Sequence, residues 1–277
     1  MAISAQDVKK LREQTGVGMM DCKKALVEAD GNFEEAVEIL RKKGQKVAAK
    51  RADREASEGA IVTATTDDGG AGVIAEVNSE TDFVARNDEF VGFAQSIADA
   101  LLAARPADVE AAKADVQVNG QALGDALTQM TGKIGEKIEL KRFEIVDAAD
   151  GGTVVDYIHP GAKLGVLVEM TGDGDLEDAG RDVAMQAAAM NPIAATRADV
   201  PQDVQDKELE IGREQARAEG KPDQILDKIA EGKLNRYFKD NVLVEQPFVK
   251  DSSQTVQQML KAQGADLKRF VRFALGG

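Results

Sequence analysis

Few residues in this chain could carry out covalent chemistry. Among its 277 residues, one is a histidine, His159, and one is a cysteine, Cys22. One of each cannot build the usual zinc site of four nitrogen and sulfur ligands, and neither lies in a motif typical of a nucleophile. The glycine-rich stretch at 69–72 leads into a strand pattern, unlike a phosphate-binding loop. We therefore expect no catalytic site, cofactor site or metal site. We expect instead that the chain acts by recognising a partner molecule.

The stretch best suited to recognition is NSETDFVARN, residues 78–87. It follows an apolar, strand-like run and precedes a helical pattern that begins near Asp88. Such a junction places its residues at the rim of a domain, where binding residues often lie on a rigid scaffold. Phe83 is the unusual member, since it is a large apolar side chain between Asp82 and Arg86.

Two interpretations of Phe83 compete. With Phe90, Ile97 and Leu101 it could form the apolar stripe of one amphipathic helix, and burial is common for phenylalanine. Against this, Asn87 followed by two acids is typical of a helix start, which would leave Phe83 upstream of the helix. From composition alone, the core position is favoured.

Composition and charge exclude several classes of protein. Hydrophobic residues make up 43% and charged residues 30%, which is typical of a folded globular protein. We find no apolar run long enough to span a membrane, and residues 1–7 lack the features of a secretory signal or transit peptide. A single cysteine suits a reducing compartment, so a cytoplasmic location is expected. The net charge of −14 disfavours nucleic acid and anionic lipid as main partners, which leaves a protein partner.

Residues 4–44 predict three short helices. The third is capped by Asn32 and is expected to stop at Gly44. So small a module buries little apolar surface. Met19 and Met20 are equally suited to its core and to an adaptable binding face.

A basic run follows these helices. Between positions 41 and 54 there are seven lysines and arginines and one aspartate. Such a run is usually a solvated helix or linker, and it could steer an acidic partner. A nucleic-acid patch is the less favoured alternative.

The remaining pattern predicts an α+β fold built from a repeat. Strand-like runs at 59–66 and 71–77 flank a turn signal and precede a helix. Runs at 153–159 and 164–170 do the same, which suggests two related subdomains. Residues 109–130 look helical, and 137–146 look like a further strand.

The sequence pattern changes at Pro201. Two helices joined by a short connection at 220–222 should lie antiparallel, and the first has too few apolar residues for a core. Further strands are predicted at 241–249 and 267–275, so the helices form an inserted arm. The predicted domains are a three-helix module with its basic linker at 1–55, a core subdomain at 56–140, a second at 141–195 with 240–277, and a helical hairpin at 196–239.

Four segments, in order, resemble those of the elongation factor Ts family, the guanine-nucleotide exchange factors of elongation factor Tu. They are LREQTGVGMMDCKKAL at 11–26, EVN and TDFVA within 76–85, YIHPGAKLGVLV at 157–168 and QPFV at 246–249. The resemblance covers nearly the whole chain. It implies a ubiquitin-associated-like module of three helices, a core of two similar subdomains with antiparallel sheets, and an inserted antiparallel helical hairpin.

The resemblance also implies which residues act on the GTPase. Residues Thr81, Asp82, Phe83 and Val84 would dislodge its Mg²⁺, with the Phe83 ring wedged between helices of its nucleotide-binding domain. That role reverses the preference for a core position.

Further contacts follow from the same resemblance. Leu11, Met19 and Met20 would dock on the GTPase domain, and His159 would face another domain of the partner. The chain would exchange nucleotide without covalent chemistry, and a homodimer through the hairpin is a further expectation. The alternative is a scaffold or chaperone-like protein that binds helical partners.

Overall fold

The computed structural model describes residues 3–277, so the first two residues of the predicted N-terminal module lie outside the described part. Within it the chain forms eleven α-helices and ten strands, which confirms the α+β class. The chain divides into two compact units. One comprises the residues up to Val62, Ala75–Phe143 and Leu275–Gly277, and the other Thr63–Ile74 and Glu144–Ala274. The four-domain division stays a prediction. None of the described helices is both long enough and apolar enough to cross a lipid bilayer.

The first unit begins with three helices, α1 (Ala5–Thr15), α2 (Met19–Glu28) and α3 (Phe33–Arg51). Ser4 and Asp7 form a reciprocal capping box at the start of α1, and Gly16 ends it in the left-handed conformation. Leu11 and Leu26 are fully buried in the small apolar cluster that these helices share. Local capping and one apolar stripe per helix therefore explain this module.

Three strands, each of which continues from one of the two units into the other, form a first sheet. Its central strand, β2, is buried along its whole length, so the residues that follow it are anchored by a rigid element. The sheet order is β1-β2-β5. The elements are β1 (Glu58–Thr65), β2 (Ala71–Ser79), α4 (Asp82–Ala85), α5 (Asp88–Ala104), α6 (Val109–Asp115), β3 (Gln117–Val118), β4 (Gln121–Ala122), α7 (Leu123–Ile134) and β5 (Glu139–Asp147).

Two helix boundaries in this unit differ from the prediction. The helix expected over 109–130 is interrupted by the β3–β4 turn, where Asn119 and Gly120 have positive φ. Helix α3 does not stop at Gly44 but continues to Arg51. A Cβ added at Gly132 of α7 would come within 2.5 Å of the Gly44 Cα. Gly132 therefore allows the two helix backbones to approach at Gly44, and Gly44 itself does not end a helix.

The close approach of α3 and α7 gives a first prediction. Gly132→Ala should lower the free energy of unfolding by about 1–3 kcal/mol, because the new methyl group must displace α3. The matched control is Gly92→Ala in α5, where an added Cβ meets nothing within 4 Å and the better helix propensity should add up to about 1 kcal/mol. Urea unfolding of both variants measures the difference. Equal changes would show that the two helices do not constrain each other.

The second unit contains an antiparallel sheet of order β10-β7-β6. Helix α8 covers one face, where its Val183 and Ala187 share a buried cluster with Val166, Val168 and Met170 of β7. The elements are β6 (Thr153–Ile158), β7 (Leu164–Gly172), α8 (Leu176–Met190), α9 (Gln202–Ala218), α10 (Leu226–Asn241), β8 (Pro247–Phe248), β9 (Asp251–Thr255), α11 (Val256–Ala262) and β10 (Ala265–Ala274).

Helices α9 and α10 contact each other closely. A Cβ at Gly212 would lie 2.9 Å from the Ala230 Cα, and the Arg213 Nε donates to Asp227 Oδ1 at 2.7 Å. The strand predicted at 241–249 is wrong for most of its length. A 3-10 turn and the two-residue strand β8 replace it. Val242 and Val244 pack with Phe238 of α10, and short apolar runs do not distinguish strands from other buried segments.

Candidate partner-binding site

Residues 80–86, here called the Phe83 turn, connect the buried strand β2 to helix α5. They contain the single helical turn α4, which buries Ala85 but leaves the Phe83 side chain 83% exposed. The core interpretation of Phe83 is therefore wrong. Asn87 caps α5 by accepting from the Glu89 N–H at 2.9 Å, so Phe83 lies upstream of that helix, as its start signal indicated.

An exposed ring of this size can contribute free energy when a partner buries it. Full burial of a phenylalanine side chain contributes about 1.5–3 kcal/mol, and the fold leaves nearly all of it unused at Phe83. Single exposed apolar residues are common on protein surfaces, so exposure alone identifies no site. Phe83 differs from other exposed apolar residues because hydrogen bonds fix the backbone beside it.

Glu136 holds Thr81 at two points. The Thr81 backbone N–H donates to Glu136 Oε2 at 3.0 Å, and the Thr81 hydroxyl donates to Oε1 at 2.8 Å. Hydrogen bonds to a charged acceptor contribute more than neutral ones. The residue that begins α4 therefore has both its backbone and its side chain fixed.

Glu80 fixes the same turn from a second direction. Its carboxylate accepts from Arg51 Nη1, at the end of α3, at 2.8 Å and from the Lys137 backbone N–H at 2.7 Å. The Glu80 side chain is largely buried, which shields the pair from solvent screening. The Phe83 turn thus presents its ring from a backbone that is preorganised, and a preorganised contact costs less entropy on binding.

Asp82 is more weakly engaged than its neighbours. Its Oδ2 lies 3.0 Å from Arg86 Nη2, four residues later, and the arginine is mostly exposed. Exposed pairs of this kind contribute about 0–1 kcal/mol. The Asp82 carboxylate can therefore leave Arg86 for a partner at little cost.

The N-terminal module presents apolar surface on α2. Met19 and Met20 are 48% and 61% exposed, and Val27 is more than half exposed. Val27 lies seven residues after Met20 and so shares its helix face, a spacing by which the sequence could have revealed it. Leu11, which was expected among the docking residues, is fully buried in the module core. It packs beneath the exposed α2 surface and cannot itself touch another molecule.

The basic run is partly neutralised within the first unit. Arg41 lies 3.8 Å from Asp125, and Lys43 Nζ lies 2.5 Å from Asp21. Arg51 forms the ion pair with Glu80 described above. Three of its seven cations thus face carboxylates, which weakens the nucleic-acid alternative. The part that ends at Arg51 is helix, in agreement with the solvated-helix interpretation.

His159 lies in the second unit, where it is exposed just after β6. Its Nδ1 is 3.0 Å from the Tyr157 hydroxyl, and the two rings are tilted with centroids 6.0 Å apart. The ring is thus oriented by one neighbour and free on its outer side, as a contact residue would be. The family resemblance named Thr81, Asp82, Phe83 and Val84 as candidates, but it did not name Glu136, which accepts from Thr81. Nor did it name Arg51, which pairs with Glu80.

Comparison with known proteins gives a consistent result. The model of a protein family described as "Elongation factor TS" matches residues 80–277. Relatives described as "Elongation factor Ts" include one from Prosthecochloris aestuarii, 49% identical over 285 residues, with 99% of each chain covered. Another from Christiangramia forsetii is 50% identical over 277 residues, again with 99% of each covered. One from Alkalilimnicola ehrlichii is 48% identical over 276 residues, covering all of this chain and 93% of the relative.

Proposed function

This chain belongs to the elongation factor Ts family and is a translation elongation factor, and on that premise we propose that it binds elongation factor Tu·GDP and accelerates GDP release. GTP can then load into the emptied site. The observation that carries the proposal is the Phe83 turn, an exposed aromatic ring on a backbone fixed by Glu80 and Glu136.

The proposed mechanism is mechanical. The Phe83 ring enters between helices of the GTPase nucleotide-binding domain, with Asp82 and Val84 beside it, and shifts the groups that hold Mg²⁺ and the phosphates. A bound divalent cation is often the largest local charge in such a site. Once it leaves, phosphate repulsion is no longer neutralised and GDP dissociates faster.

The energy required shows that one ring is not enough. Accelerating release by about 10⁴ requires roughly 5.5 kcal/mol from the barrier, and burial of one phenylalanine supplies about 1.5–3 kcal/mol. Other surfaces must supply the remainder, namely the α2 face with Met19 and Met20 and the second unit with His159. Coupling between two ligands is reciprocal for their binding affinities. Whatever factor this chain takes from the affinity of elongation factor Tu for nucleotide, nucleotide takes from its affinity for this chain. This reciprocity lets GTP release it.

Release of fluorescent mant-GDP from purified elongation factor Tu tests the proposal. Substoichiometric amounts of this chain should accelerate release in a saturable way and leave the nucleotide chemically unchanged. Release in EDTA, without factor, gives the rate expected when Mg²⁺ is absent. An identical release rate with and without this chain would instead favour the scaffold or chaperone-like alternative. A homodimer through α9 and α10 remains a proposal, which sedimentation over a range of concentrations tests.

The α2 face gives a prediction of its own. Met20→Ser should raise the factor concentration for half-maximal exchange by about fivefold, because roughly 1 kcal/mol of apolar burial is lost. The maximal rate should fall less than it does in Phe83→Ala, since the side chain lies outside the Phe83 turn. Ile225→Ser, at an exposed apolar residue beside α10, is the control. If both variants behave alike, the α2 face is not a docking surface.

A further inference from the structure

A second region of interest is a cavity of about 400 Å³ in the second unit. It lies between the end of α8, the segment at 191–199 and strand β10. Lys268, Arg269 and Arg272 line it, and the one acid in its lining is Asp199. We propose that this cavity binds an oxyanion, that is, the carboxylate or phosphate group of a ligand.

A β-bulge brings these cations to the cavity. The register of β10 on β7 shifts between Leu267 and Arg269, which leaves Lys268 as the extra residue. Beyond the shift, Phe270 lies opposite Val168 and Arg272 opposite Val166, and both valines belong to the face that α8 covers. Because bulges redirect side chains, the extra residue places Arg272 at this covered face.

The charges in the cavity are unevenly compensated. Arg269 Nε donates to Glu169 at 3.1 Å, and Asp199 accepts from the Thr196 backbone and hydroxyl at 2.9 and 2.7 Å. Arg272 has a single long hydrogen bond, from Nη2 to the Ala188 carbonyl at 3.4 Å. Its Nε is buried and has no hydrogen-bond partner among residues 3–277.

A purely structural role explains Arg272 only in part. A cation near the carbonyl end of α8 is favoured by the helix dipole, and the Ala188 contact fits that role. It leaves the Nε–H unpaired, however, and an unpaired buried donor is costly. Burial also lowers the pKa of Arg272, because it disfavours the charged form of a side chain. An oxyanion in the cavity would offset the electrostatic cost of burying this positive charge.

The apolar part of the lining narrows the ligand class. Ile193 is about half exposed, and it lines the cavity together with Pro192 and Phe270. A ligand that carries an apolar group beside its anion would contact both parts. N-acetylleucine represents such a carboxylate and inorganic phosphate represents the simple anion, so the two probes separate the two sources.

Amide NMR titration of the full chain, at constant ionic strength maintained with NaCl, tests the proposal. Saturable shifts are expected at 188–199 and 265–272, with a Kd in the millimolar range. Tighter binding of N-acetylleucine indicates a ligand with an apolar group beside its carboxylate, and tighter binding of phosphate indicates a simple anion. Absence of saturable shifts with both probes would overturn the proposal.

Variants assign the site to its residues. Arg272→Gln should weaken binding at least about tenfold, since it removes the charged donor. Arg236→Gln, at an exposed cation on α10 that faces Asp240, should leave the Kd unchanged. Equal binding by Arg272→Gln and the parent chain would contradict the proposal. If Arg272→Gln fails to fold, Lys268→Gln at the exposed bulge replaces it. A weakening of about threefold is then expected, and an unchanged Kd would contradict the proposal.

Discussion

Phe83→Ala is expected to slow factor-stimulated GDP release by about 10- to 100-fold, which is the kinetic equivalent of the roughly 1.5–3 kcal/mol that burial of the ring contributes. The ring contributes this energy only in the complex, because in the free chain it is 83% exposed. The melting temperature of the variant should therefore stay within about 1 °C of the parent, as is usual for surface substitutions that lose no packing. Stimulated mant-GDP release at saturating factor, with a thermal melt of the same preparation, measures both quantities.

The matched control is Phe90→Ala, seven residues along the chain. Phe90 is fully buried, so its removal should cost about 3–5 kcal/mol of folding free energy. The two variants should thus show opposite patterns, with loss of exchange at Phe83 and loss of stability at Phe90. If Phe83→Ala leaves stimulated GDP release unaffected, the proposal that the Phe83 ring drives exchange is contradicted.

Local signals in the sequence predicted much of the fold. Asn32 and Asn87 cap helices by contacts within three residues, and such short-range chemistry is visible in the sequence. The alternating runs at 153–159 and 164–170 became the paired strands β6 and β7. These elements need no knowledge of the rest of the chain.

Elements that depend on distant contacts were not predictable in this way. Gly44 resembles a helix stop, but α3 continues past it and packs against Gly132, which is far along the chain. The candidate site likewise contains residues that local sequence signals reveal and residues that only distant contacts reveal. The segment 81–84 is conspicuous because an aromatic residue stands among polar ones. Glu136 contacts Thr81 across 55 residues and Arg51 contacts Glu80 across 29, and no spacing rule connects them.

The hold of Glu136 on Thr81 leads to the second large effect. Glu136→Gln should slow stimulated GDP release by about tenfold. The amide keeps the shape of the side chain, but it loses the negative charge and can accept from only one of the two Thr81 donors. A half-buried donor left without its partner also costs free energy, and the Phe83 turn can avoid this cost by moving. The ring would then be presented in several orientations.

A double-mutant cycle separates this positioning role from a general loss of stability. If Glu136 acts through the Phe83 ring, Glu136→Gln should change the release rate by less than about twofold in a Phe83→Ala background, because coupled residues are not additive. Glu110→Gln, at an exposed glutamate that pairs with Lys113, should have no effect in either background. Equal slowing by Glu136→Gln in both backgrounds would mean that the carboxylate supports the unit as a whole. The factor would then owe its action to the ring alone, without the orientation that the two glutamates impose on it.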